Sequence, residues 1–184
     1  GRTMAAEESP EFGRHLESAT ERYLDGLSEC VGALPALIDA YQADTECRSI
    51  TSEIQRLESD CDRTKLELGR LITRSDGAEL GLRVAWVHRH ADRMVELYGQ
   101  LDTIANVAEQ FAEDLIAIAP SRRDDCLDGL KAMAELAVVA MDHLARIVGE
   151  FVRTLCRPDY LASITHGVRT IRPLEGDRRT VRNR

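Results

Sequence analysis

Apolar residues recur along this chain at steps of three and four, the period of a helix, over most of its length. Leu16, Tyr23, Leu27, Cys30, Leu34, Leu37, Ile38 and Tyr41 trace one stripe, and Pro35 inside it predicts a kink. Ile50, Ile54, Leu57, Cys61, Leu68 and Ile72 trace a second, closed by Ser75-Asp76-Gly77. The third is the longest, from about Ala78 to Ala119, with Trp86, His90, Met94, Leu97, Leu101, Ile104, Ala108, Phe111 and Leu115 along its seam. Pro120-Ser121 ends it. Asp124 and Asp125 open a fourth helix, where negative charge suits the N-terminal end of the helix dipole. Its stripe is Leu127, Leu130, Met133, Leu136, Val139, Ile147 and Phe151, and it stops at Pro158. A fifth helix holds Leu161, Ile164, Val168 and Ile171 and is disturbed by Pro173. No alternation of period two runs for a useful length. The expectation is an all-α fold of five long antiparallel helices, joined by short links in an up-down bundle.

Length and composition refine this picture. The 184 residues divide into a tag remnant and flexible lead (1–11, with Met4 as native start), a three-helix bundle (12–120) and an incomplete second helical unit with an arginine-rich tail (121–184). Aromatic residues make up only 4%, so the core is aliphatic and alanine-rich. The formal net charge of -8 argues against binding to a nucleic-acid backbone. Lysine occurs only as Lys65 and Lys131. Five cysteines without a CxxC pair read as reduced thiols in a reducing compartment. No apolar run approaches the roughly 18 residues of a membrane span, and no signal peptide is visible, so a soluble cytoplasmic protein is expected. The basic run Arg169, Arg172, Arg178, Arg179, Arg182 and Arg184 is either a solvated terminus or a contact with an acidic partner or lipid surface.

Two sets of polar residues stand out. Glu58 and Asp62 lie one helical turn apart, where like charges repel unless something bridges them. Carboxylate oxygens are natural ligands of hard cations. The third helix offers Asp102, Asn106 and Glu109. Turned at helical pitch, Glu58 falls beside its apolar seam, and Asp102 and Glu109 fall at the edge of theirs. The sets therefore either face each other at a helix boundary or are two solvated charge faces. His88 and Asp92 form an outer-face pair one turn apart, whereas His90 falls in the apolar seam as a core histidine. His15, His143 and His166 have no ligand-like neighbours. There is no Glu-x-x-His of a di-iron bundle, no HExxH, no phosphate-cradling glycine loop and no GxSxG.

Thr51-Ser52-Glu53-Ile54-Gln55-Arg56-Leu57-Glu58-Ser59-Asp60 and Val168-Arg169-Thr170-Ile171-Arg172-Pro173-Leu174-Glu175-Gly176-Asp177 share Ile, Leu, Glu and Asp at the same offsets, a faint internal repeat. The stretch Ile54-x-x-Leu57-Glu58-x-x-x-Asp62, followed a helix later by Leu101-Asp102-x-x-x-Asn106-x-x-Glu109, resembles the PhoU-like phosphate-transport regulators, in the branch associated with low-affinity phosphate permeases. The resemblance runs from about Leu16 to Asp177. It implies tandem three-helix repeats, with carboxylate motifs on the second and third helix of each. It also implies metal ligation by Glu58, Asp62, Asp102, Asn106, Glu109 and Glu175, with iron, zinc, manganese or a similar ion as cofactor. Asn106 stands where the family has a carboxylate, Arg179 stands four residues after Glu175, and the sixth helix with its motif is missing.

The resemblance further implies a regulator or accessory of phosphate uptake, acting through partners without catalysis. The expected partner is a phosphate transporter or its regulatory components at the inner face of the membrane. Two alternatives are a metal-dependent bundle enzyme, using Glu58, Asp62, Asp102 and Glu109, and a plain helical dimerisation scaffold. Helices four and five alone cannot enclose their stripe, so Leu130, Met133, Leu136, Val168 and Ile171 would meet water. A homodimer through these helices is expected.

Overall fold

A computed structural model describes residues 9–74, 87 and 89–156. Among the described residues there are four helices and no strand: α1 (Ser9–Gln42), α2 (Cys47–Arg74), α3 (Ala91–Ile118) and α4 (Asp125–Cys156). The all-helical bundle read from the apolar periodicity is the observed architecture. The fifth helix and the arginine-rich tail lie outside the described residues, as do Trp86 and the repeat segment around Glu175.

α1 is the central element. It packs on α2, α3 and α4, and α2 packs on α3. Cross-helix pairs fix the directions. Arg22 meets Glu67 (2.9 Å) across the short link of residues 43–46, and Lys65 meets Asp102 (2.7 Å) while Gln55 meets Glu113 (3.2 Å), so α1 and α2, then α2 and α3, run antiparallel. Lys131 meets Asp39 and Arg153 meets Glu17, which sets α4 antiparallel to α1. Residues 43–46 and 119–124 make short links between α1 and α2 and between α3 and α4, as an up-down order requires. One apolar cluster gathers Leu16, Tyr23 and Leu27 of α1 with Leu57, Leu68, Tyr98, Met141 and Val148. A second, at the other end, gathers Leu37, Ile38, Ile54, Ala112, Leu115 and Leu127. Both clusters contain residues of α4, so α4 shares its core with the first three helices. Pro35 lies within α1, which continues to Gln42.

Several boundaries differ from the sequence reading. α1 begins at Ser9, inside the expected polar lead of residues 1–11. The third helix, expected from Ala78, starts as α3 at Ala91. His90 precedes it in a turn with φ -111° and ψ 23°, so it is a half-buried helix-start residue and not part of a continuous core seam. Residues 75–86 and 88 lie outside the described residues. Asp124 sits just before α4 and not within its first turn. Its carboxylate accepts the backbone N–H of Cys126 (2.9 Å), which caps the helix and holds its pKa below the usual value.

Two links carry backbone in the left-handed region. Asp44 (φ 54°) turns the chain from α1 to α2, and Ala119 (φ 46°) ends α3, its N–H returning to the carbonyl of Leu115. Arg122 ties these links together. Its Nε donates to the carbonyl of Tyr41 (3.1 Å), it pairs with Asp44 (2.8 Å), and its guanidinium lies over the Tyr41 ring. The Tyr41 hydroxyl donates to the carbonyl of Pro120.

Candidate functional site

The two polar sets share one boundary. α2 presents Glu58, Asp62 and Lys65, and α3 presents Asp102, Asn106 and Glu109, one turn apart on each helix. Both helices turn their apolar sides to α1, burying Ile54, Leu57, Cys61 and Leu68 of α2 and Leu101, Ala105 and Ala108 of α3. The polar residues that flank those sides therefore meet along the edge of the core.

Asp102 is the residue drawn in furthest, at 5% exposure. Its Oδ2 receives Lys65 Nζ at 2.7 Å and Asn106 Nδ2 at 3.5 Å. Its buried Oδ1 has no hydrogen-bond partner among the described residues. Lys65 also reaches Asp62 Oδ1 at 3.1 Å, so one ammonium bridges carboxylates on both helices. The hydrogen bond to Asp102 is the main reason the Lys65 pKa lies above its ordinary value, and the positive charge is held firmly in place.

One turn along, Glu58 and Glu109 meet. The Glu58 pKa is raised, first by burial, then by the charge of Glu109 and a hydrogen bond to it, with Asp102 and Asp62 adding further negative field. Two carboxyl groups share a hydrogen bond only when one carries a proton. Asn106 is exposed at the rim. Glu175 lies outside the described residues.

The donor chemistry is that of a hard-cation site, and the orphaned Asp102 Oδ1 is an oxygen without a ligand of its own. Against this, Lys65 already holds the place between Asp62 and Asp102. Among the described residues no three His, Cys, Asp or Glu side chains are arranged to hold a metal ion. The carboxylates are neighbours along a seam and do not converge on a point. As arranged, they accommodate the Lys65 ammonium, and a divalent ion would enter only by displacing it.

The spacing of acidic residues alone does not single out Lys65. The signal was present, because Asp62 and Lys65 are three residues apart on one helix and lysine is rare in this chain. Of the outer-face pair, Asp92 is exposed on α3, and His88 lies outside the described residues.

Next to the seam is a polar network that the apolar pattern did not reveal. Thr20 donates to the carbonyl of Leu16 (2.7 Å), leaving its oxygen to accept the Tyr98 hydroxyl (2.6 Å), while the Tyr23 hydroxyl donates to the carbonyl of Tyr98 (2.9 Å). The two rings meet edge to face, 5.8 Å between centroids. Burial pushes the Tyr98 pKa up to about 12 and raises Tyr23 further. The Cys30 and Cys61 thiols touch across α1 and α2, and that contact, with burial, raises Cys30. Gly26 makes room for them: a Cβ there would lie 2.8 Å from Cys61 Sγ. No disulfide joins any of the five cysteines. Cys126, unlike the core thiols, is exposed.

The other notable surface is apolar. Val31, Leu34, Ile104, Val107, Phe111, Leu130 and Met133 line a groove of about 480 Å³ between α3 and α4, open to solvent above α1. No helix among the described residues is long and apolar enough to cross a membrane. No protein-family model, curated protein or solved structure matches the chain.

Proposed function

We propose that the chain is a PhoU-like regulator or accessory of phosphate uptake that works by binding, without catalysis, at the cytoplasmic face of a phosphate transporter. The observation that carries the binding half of this reading is the apolar groove between α3 and α4. An open, aliphatic channel on a small helical bundle suits a helix or loop of another protein. The phosphate half rests on the resemblance. It is supported by the way the Glu58/Asp62 and Asp102/Glu109 motifs fall on facing helices. In this reading the tandem-repeat architecture continues past α4, with Glu175 in the second repeat.

Deleting the gene in its host and following radiolabelled phosphate at scarce and abundant supply tests the proposal. Altered uptake supports it. Uptake identical to the parent at both levels removes the phosphate half and leaves a binding module of another system.

A second reading is favoured by the meeting of Glu58, Asp62, Asp102 and Glu109 at one seam: a metal-dependent bundle protein, with iron, zinc or manganese as the ion. Calorimetric titration with manganese, iron and zinc decides it, comparing the parent with Lys65→Met and Glu58→Ala. If an ion takes the seam, Lys65→Met strengthens binding and Glu58→Ala weakens it. Heats indifferent to both substitutions end this reading.

A further inference from the structure

Among the described residues, the packing of α4 buries one apolar line and leaves a second exposed. Its inner line, Leu127, Ala134, Met141 and Val148, is buried in the two clusters shared with α1. A second line runs along the opposite side. Gly129, Met133, Leu136, Ala140, His143 and Ile147 succeed one another at steps of four and three, and all are exposed. Leu136 and Ile147 are 70% and 65% open. That spacing is the seam of two helices wound together, where each side chain seats between side chains of the facing helix.

The charges beside this seam indicate what fits it. When α4 is laid against its own reversed copy about the midpoint between Ala140 and Met141, every pair of flanking charges is opposite in sign. Glu135 meets Arg146, Asp128 meets Arg153, and Lys131 meets Glu150. The same register sets Ala137 beside Leu144 and brings Ile147 within one residue of the level of Met133. Asp128, Lys131 and Arg153 already engage Gln42, Asp39 and Glu17 of their own chain, so Glu135 and Arg146 set the register. Both are exposed, and Arg146 leans on His143. A twofold axis at the midpoint makes each pair twice, which is how a single self-complementary patch closes a dimer.

We propose that a second copy of this chain docks on the outer face of α4, antiparallel about a twofold axis at Ala140 and Met141, whether or not the chain serves phosphate uptake. The two copies bury Met133, Leu136, Ala140 and Ile147 of each helix between them, with Glu135 and Arg146 closing the rim.

Light scattering and sedimentation of the full chain at micromolar concentration test this, and a dimer is expected. A 20.5 kDa monomer overturns it, whether the face is then covered by another part of the chain or by another protein. Leu136→Glu gives a monomer of unchanged helical content; a persisting dimer places the contact elsewhere. Glu135→Arg and Arg146→Glu each raise the dissociation constant about tenfold, since attraction becomes repulsion at two symmetric sites. The double reversal returns it to within about threefold of the parent. These exposed reversals carry the test if Leu136→Glu disturbs folding. Penalties that merely add in the double variant refute the register.

Discussion

The α2–α3 seam and the outer face of α4 are opposite departures from one rule. The seam draws charge into the edge of the core, whereas the face leaves aliphatic side chains in water. The difference lies in what each group finds next to it. Asp102 is held at 5% exposure because Lys65 and Asn106 come with it. Leu136 and Ile147 have no equivalent neighbour among the described residues, because α4 meets α1 through Leu127, Ala134, Met141 and Val148. A buried charge is tolerated when its partner travels with it. An exposed apolar line is tolerated in water only up to the point where something else covers it.

The sharpest contrast is within α4 itself. Met141→Ala on the inner line removes a buried side chain and leaves a cavity, costing about 3 kcal/mol of folding stability. Leu136→Ala, one helical face away, costs less than about 0.5 kcal/mol under conditions that keep the chain monomeric. Urea denaturation of both variants checks this. Similar losses from the two would mean that the outer line is structurally engaged after all.

The seam is broken most directly through its cation. Lys65→Met leaves Asp102 buried beside only an amide, at a cost of about 2 kcal/mol, less than for a fully buried pair because Lys65 is 29% exposed. Adding Asp102→Leu returns most of the loss, since the pair has then been replaced by apolar packing. A double variant as unstable as Lys65→Met alone would show that Asp102 holds the seam by some means other than its charge.

How much of this was legible in the sequence differs between the two regions. The stripe of α1 read directly as core: Leu16, Tyr23, Leu27, Cys30, Leu37 and Ile38 are all buried, because a central helix is covered on most sides. On α4 periodicity gave an apolar face wider than any one neighbour could cover, and Met133, Leu136, Val139, Ile147 and Phe151, read as part of its stripe, are exposed. Spacing reports the width of a face but not which half of it meets a partner. At the seam, helical pitch set Glu58, Asp102 and Glu109 at the edges of their stripes, and they do meet there. What pitch could not supply was the cross-helix register that puts Lys65 between Asp62 and Asp102. The hydroxyl network was hidden for a related reason: Tyr23 reads as one more residue of an apolar stripe, and Thr20 and Tyr98 fall outside the stripes that spacing picks out.

That hydroxyl network offers a milder test of how the polar edge is held. Tyr98→Phe keeps the ring against Tyr23 and removes the bond to Thr20, whose oxygen still donates to the carbonyl of Leu16. The expected loss is about 1 kcal/mol in thermal or urea unfolding. No loss would show that the hydroxyl is satisfied equally well in the unfolded chain.

The smallest effect is the one most specific to the seam, and it concerns Glu58. Its pKa is raised in the folded protein above the ordinary value of 4.5, by burial first and then by Glu109. For an acid the sign follows from proton counting. Between the unfolded and the folded pKa the native state binds the proton and the unfolded state does not, so stability falls as pH rises through that window. Glu58 therefore favours the fold in acid and opposes it at neutral pH, where its charge faces those of Glu109, Asp62 and Asp102. Glu58→Gln keeps the shape and a donor toward Glu109 while removing the titration. The variant should be more stable than the parent at neutral pH by roughly 0.3 kcal/mol, the scale of a like-charge pair on a helix surface. It should also lose part of the downward slope of stability from pH 4.5 upward. Urea midpoints measured at several pH values give both readings from one series. A variant less stable than the parent at neutral pH, with the slope intact, would mean that Glu58 is ionised there and paired with a cation. The metal titration of Lys65→Met would then become the decisive measurement on this seam.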